Sequence, residues 1–261
     1  LSCTYFPPAA LAMNATAAQI GILHSIANLL PTLVQLKSAS LIENFPRKKL
    51  ILAGIIGKML LVLPLLLVGY LHLIGVPHMV WAFIALVSLQ YAFTGLVHPA
   101  WFSLMGSLVP EEKRGRYFSK RNRITAFFGV LAMISGALIL DGVKKFGLGV
   151  DVVGFTLLGF GALFVLSGLV RTWCIILISK HYEPRLKIRK KDHFSLKHFL
   201  KHARETDFGK FSSFAAPFIF TVMFASPYWA VYMLRDLGFS YSWYMAVSVS
   251  AIVFQMIFLP V

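Results

Sequence analysis

Apolar runs about as long as a bilayer's hydrocarbon core is thick recur along this chain, separated by short polar joints. The runs are 17–42, 50–71, 79–108, 124–140, 152–179 and 211–234, with a seventh, 240–261, continuing to the last residue. A helix needs ~20 mostly apolar residues to cross ~30 Å of hydrocarbon. In that solvent every backbone N–H and C=O must be satisfied within the segment, so each run has to be helical. Residues 1–13 read as the remnant of an earlier span, so the expectation is a fragment that lacks most of a first helix and everything after an eighth. Run 79–108 is longer than one crossing needs, and the His98-Pro99 pair is expected to break or tilt it.

The joints fix orientation. Three Lys or Arg residues sit at 47–49, six at 113–123 and ten at 180–210, whereas the alternate joints carry only Lys144, Lys145 and Arg235. An asymmetry that alternates correctly through seven runs is the positive-inside pattern and predicts that the basic joints are cytoplasmic in an inner-membrane, multi-pass protein. It also accounts for a net charge of +15 without invoking nucleic acid. A soluble domain is excluded by composition, since 58% of residues are hydrophobic, 13% are charged and the mean hydropathy is +0.75. Two cysteines, Cys3 and Cys174, lie far apart in apolar stretches and suggest neither a disulfide framework nor a metal site.

Segment 180–210 is the one long polar stretch and divides the chain. Within it Leu196, Phe199, Leu200 and Ala203 recur at helical spacing, with Lys197, His198, Lys201, His202 and Arg204 on the other face. That pattern predicts an amphipathic helix on the membrane surface. His198 and His202 are spaced i, i+4, but lysines surround them and no acid or cysteine supports them, so a solvated face is the better reading than a metal site. A weak repeat crosses the divide. The stretches from Phe6 to Thr16 and from Ser226 to Ser240 each place a proline-marked helix end before a short turn and a new span. Repeats of that length suggest two similar bundles joined by the polar segment.

The stretch 108–118, Leu-Val-Pro-Glu-Glu-Lys-Arg-Gly-Arg-Tyr-Phe, resembles the Pro-acidic-basic-Arg-Gly loop common after the fourth helix in bacterial members of the major facilitator superfamily. Arg114, Gly115 and Arg116 carry that resemblance. After the second helix, Glu43, Arg47 and Lys48 match the acidic and basic positions of the family's signature loop, whereas Ala39, Asn44 and Pro46 depart from its pattern. The fifth helix lacks the Gly-Pro pair of the family's drug–proton antiporters. The resemblance covers all 261 residues. It implies an all-α membrane protein with a major-facilitator-like bundle: the N-terminal six-helix half over 1–179, the cytoplasmic central loop over 180–210, and the start of the C-terminal half over 211–261. It further implies a secondary active transporter of a small solute, monomeric in the bilayer, that needs no cofactor.

Polar residues inside a bilayer are costly, so their alignment is informative. Gly21, His24, Asn28, Pro31 and Gln35 form one stripe on the second helix, and Gln90, Thr94, His98 and Trp101 form another on the fourth. If the resemblance holds, both stripes face the central cavity and are candidates for solute contact; the alternative is hydrogen bonding that only joins helices. Tyr228, Trp229 and Tyr232 follow Pro227 and fit either a substrate platform or an interfacial aromatic belt. Gly154, Gly161 and Gly168, seven apart, make a smooth packing face. Lys37, Lys58 and Arg171 are placed to snorkel toward the basic end. All ten acidic residues lie in joints or at span ends, with Asp141 nearest the membrane. Proton or cation coupling commonly uses an intramembrane carboxylate, so a proton-coupled mechanism here would fall to His24, His98 or segments outside the sequence. No catalytic constellation or phosphate-binding loop is present. A non-transporting membrane scaffold or degenerate relative is the second reading. A lipid-directed enzyme using His24 or His98 is the third, and neither histidine has an acidic partner nearby in sequence.

Overall fold

The computed structural model describes residues 2–146, 152–184 and 205–258, and every regular element among them is helical. The order is α1 (Ser2–Ala12), α2 (Ala17–Asn44), α3 (Arg47–Leu60), α4 (Val62–Leu73), α5 (Met79–Leu108), a 3-10 turn (Glu111–Lys113), α6 (Arg114–Phe146), α7 (Val152–Ser179), α8 (Asp207–Ala225), a single turn α9 (Tyr228–Val231), a π turn (Tyr232–Asp236) and α10 (Tyr241–Phe258). Six stretches are long and apolar enough to cross a membrane: α2, α3 with α4, α5, the 3-10 turn with α6, α7, and α8 through the π turn. The apolar helix α10 is shorter. The protein is thus an all-α, multi-pass membrane protein. Arg47 and Lys48 reach Pro184 and His181, and Arg47 and Arg114 both reach the end of α5, so these joints share one end of the bundle, here called the basic end, and the other described turns lie at the far end. The expected amphipathic helix, with His198 and His202, lies outside the described residues.

Three local expectations are corrected. The basic stretch 109–124 is not a loop, because α6 begins at Arg114 and carries most of its charges on a helix. Run 79–108 is not broken at His98-Pro99, because Pro99 sits inside the continuous helix α5. Breaking a helix at that depth would strand several backbone groups where no water replaces their bonds, a larger loss than the one bond proline removes. Run 50–71 is instead interrupted, at Leu61, where Pro64 cannot donate to the Leu60 carbonyl.

Far-end turns are built to stop one helix and start the next. Gly75 and Gly238 take φ of 84° and 63°, a region that only glycine enters at no cost. Thr16 caps α2 through a reciprocal pair, its hydroxyl accepting from Gln19 N at 3.2 Å while its own N–H donates to Gln19 Oε1 at 2.8 Å. Ser240 caps α10 by accepting from Trp243 N at 3.3 Å. The two residues that end the repeated stretches thus do the same job. Thr16→Ala should cost about 1 kcal/mol, read as a lower Tm of the purified protein that Thr16→Ser restores.

The far half holds the main core, in which Phe6 packs against Phe83, Tyr91 and Phe164 at centroid separations of 6.2, 6.0 and 5.6 Å. A second cluster, Leu50, Ile51, Ala100, Leu104 and Met105, joins α3 to α5 at the basic end. Small residues let the helices approach. A Cβ on Gly95 would overlap the carbonyl of Pro31, and one on Gly57 would stand 2.5 Å from the Phe93 ring. On α7, Gly161 and Gly168 meet Leu66 and Val62 of α4 at ordinary contact distance, as their spacing suggested.

Candidate solute path and its two ends

The far end is tied shut across the bundle. Asp141, near the end of α6, accepts from both first amides of α10: Tyr241 N to Oδ1 at 2.9 Å and Ser242 N to Oδ2 at 2.8 Å. A carboxylate there satisfies two N–H groups that no helical carbonyl can reach and meets the positive end of the helix dipole. Arg235 donates to the carbonyl of Ala15. His24 Nε2 and Ser226 Oγ lie 3.1 Å apart, and the Tyr228 hydroxyl closes over Gly21. Each contact joins residues of α1 to α6 or the turns between them to the segment that begins at Ser226.

The basic end differs. Arg47 is 2% exposed, and its guanidinium donates to Ser103 O at 2.9 Å, Ser107 Oγ at 2.7 Å and Pro184 O at 2.5 Å, with Glu183 Oε1 at 3.7 Å from Nε. A buried charge needs such a full set of partners. Lys48 donates to His181 O at 3.0 Å. Arg114 donates to Gly106 O at 2.7 Å and Val109 O at 3.3 Å, tying α6 to α5. Gly115, Arg116 and Glu43 are exposed. These bonds hold α3, α5, α6 and the residues after α7 to one another. By contrast, α8 presents Phe211, Phe214, Phe218 and Phe220 as exposed side chains, 66–75% accessible.

Between the ends the two polar stripes part company. His24 reaches Ser226, while Asn28 and Gln35, farther toward the basic end, are exposed. Asn28 Nδ2 donates to His24 O at 2.8 Å, and Thr32, also exposed, donates to Asn28 O at 2.9 Å. Pro31 is consumed by the contact with Gly95. On α5, Gln90 departs from its expected role. It is 3% exposed, and its Oε1 accepts from Arg171 Nη2 at 3.2 Å, so it joins α5 to α7. Arg171 in turn does not snorkel, because its Nη1 reaches back to Lys58 O at 3.3 Å. Thr94 bonds its own helix through Gln90 O at 3.2 Å, and His98 is exposed. Trp101 lies under Arg121, whose guanidinium carbon stands 4.2 Å from the ring centroid. Tyr228, Trp229 and Tyr232 remain about half exposed. Sequence reasoning gave Asp141 and Arg121 no role. In the sequence Asp141 shows only its depth, and Arg121 only its charge.

A cavity of about 210 Å³ lies among α1, α4, α5 and α7, lined by Met13, Leu65, Tyr70, Phe83, Phe160 and Phe164 among others. None of the polar stripe residues reaches it. Among the described residues no cluster of three or more His, Cys, Asp or Glu side chains forms a metal site.

Comparison with known proteins agrees with this architecture. The family model for the Major Facilitator Superfamily matches residues 1–261, the whole of the sequence. No curated protein and no solved structure gives a significant match. A match over the full length, on a chain of helices long and apolar enough to cross a membrane, leaves one conclusion: the chain belongs to the major facilitator superfamily of membrane transporters.

Proposed function

We propose that the protein is a secondary active transporter that moves a small solute by alternating access, captured with its far end closed and its basic end open. The observation that carries this reading is the one-sidedness of the cross-bundle bonds. Asp141, Ala15, His24 and Gly21 meet Tyr241 and Ser242, Arg235, Ser226 and Tyr228 of the segment that begins at Ser226 and close the far end, while the Asn28–Gln35 part of the α2 stripe stays exposed toward the basic end. Exposed amide and hydroxyl groups at hydrocarbon depth are expensive against lipid but are satisfied by a water-filled path. Residues 1–179 and 211–261 act as two bodies joined by 180–210, and rocking of one against the other exchanges which end is open. The basic end is cytoplasmic, the inner membrane is the site of action, and the unit is a monomer. Asn28, Gln35, Thr94, His98, Trp101, Tyr228, Trp229 and Tyr232 line the path, His24 belongs to its far gate, and Gln90 supports the wall behind it.

Directional labelling tests this. In a background with Cys3 and Cys174 replaced by serine, Asn28→Cys should react with a membrane-impermeant maleimide from the basic face and resist it from the far face. Reaction from neither face, or equal reaction from both, would remove the path.

A further inference from the structure

The cavity among α1, α4, α5 and α7 takes its shape from how α4 and α7 diverge. A Cβ on Gly168 would stand 3.6 Å from Val62, and one on Gly161 would stand 3.4 Å from Leu66, so the two helices meet there. Nearer the far end, at Gly69, nothing lies within 4 Å of a Cβ. The space that opens has a volume of about 210 Å³. Phe83, Phe160 and Phe164 form buried walls, while the exposed Tyr70 and Leu158 mark its mouth.

That mouth faces hydrocarbon. Leu63, Leu67 and Tyr70 recur at i, i+4 and i+7 on α4, and Leu158, Val165 and Leu169 at i, i+7 and i+11 on α7, all of them exposed. This flank is apolar, unlike the amide-bearing stripe of α2, and lipid tails suit it as well as leucine does. Within the cavity the Tyr70 hydroxyl is the one polar group among the lining side chains. A buried water needs two to four polar partners, whereas an apolar cavity of roughly 150 Å³ accepts a benzene-sized ligand. Hydrocarbon restores the dispersion contacts that such walls otherwise forfeit.

Depth narrows the choice further. The α4 lining runs from Leu65 to Leu73, about 12 Å along a helix axis, nearly one leaflet's share of a hydrocarbon core ~30 Å thick. Tyr70, one turn from the end of α4, stands where a phenol meets headgroups and esters. We infer that the cavity seats one acyl chain of a far-leaflet phospholipid, which enters between α4 and α7 with its ester end at Tyr70 and its methyl end toward Leu65 and Phe164. Every lining residue lies before α8, so this inference does not rest on how a solute moves.

Photolabelling of the full chain in nanodiscs tests it. The bilayer is phosphatidylcholine doped with a phosphatidylcholine whose chain carries a diazirine, either close to the ester or close to the methyl end. Adducts located by peptide mass spectrometry should include the buried Phe83 and Phe160. The ester-side probe should favour Tyr70 and Leu73, and the methyl-side probe Leu65 and Phe164. Gly69→Leu puts a side chain where the acyl chain would lie, so adducts at Phe83 and Phe160 should fall about tenfold. Those on the exposed Phe214 and Phe218 of α8 should stay unchanged, and a Tm near that of wild type shows that the variant is folded. The order of labelling along the chain is read in wild type, so it decides the matter even if the variant misfolds. Absence of adducts at Phe83 and Phe160, the reverse order of depth, or full labelling in Gly69→Leu would each overturn the inference. So would loss of the label on adding dodecanoate at the concentration of the doped lipid, since the cavity would then hold a free fatty acid. The Asn28→Cys labelling stands or falls independently of these outcomes.

Discussion

Gly95→Leu is expected to abolish the folded protein, giving an aggregated elution profile in detergent where the wild type is monodisperse. At Gly95 α5 comes close to the backbone of α2, in the most extensive helix pairing among the described residues, and a Cβ there would meet the Pro31 carbonyl and Cα rather than a yielding side chain. Overpacking ordinarily costs about 1–3 kcal/mol because neighbouring side chains shift. Backbone at a proline inside a helix has little freedom to shift, so a leucine has to push the two helices apart along their length. Packing between membrane helices depends on such close approach, with no hydrophobic effect to restore it. Gly95→Ala should fold but melt earlier. Gly69→Leu, where nothing lies within 4 Å of a Cβ, should leave the melting temperature near that of wild type and serves as the control. A monodisperse Gly95→Leu protein with unchanged Tm would show that the α2–α5 seam is looser than described.

The spans were legible because two simple quantities govern them, the thickness of hydrocarbon and the side on which cations accumulate. The lengths of α2, α5 and α7 follow from the first. Polar stripes were legible only as far as helical period allows. That period places Gln90, Thr94 and His98 on one strip, but it cannot show that α7 brings Arg171 over Gln90 and leaves His98 uncovered. Arg121 was hidden for a related reason. Within a loop its neighbours would be other charges, whereas on α6, which starts at Arg114, it falls beside Trp101. Asp141 bonds to main-chain amides one hundred residues away, and a backbone N–H carries no mark in the sequence.

Asp141→Asn should shift the protein toward a state open at the far end. Two amides of α10 now share a carboxylate, and asparagine offers one oxygen, so one N–H loses its acceptor and the charge facing the helix dipole vanishes. A hydrogen bond to a charged group is worth about 1.5–3 kcal/mol. Each 1.4 kcal/mol changes an equilibrium tenfold, so the balance between the two ends should move by roughly ten- to a hundredfold. The bond joins α6 to α10 and ties no helix to itself, so the lost energy falls on the closed far end and not on the fold. Spin labels at the exposed positions Lys145 and Asp236 should show a longer-distance population in Asp141→Asn that is minor in wild type. Labelling of Asn28→Cys from the far face should rise in the same variant. Asp141→Glu keeps both oxygens and the charge, so it should restore much of the closed population. If Asp141→Asn instead lowered Tm while leaving the distance distribution untouched, Asp141 would be a packing residue of a static bundle, and the far end would not be a gate.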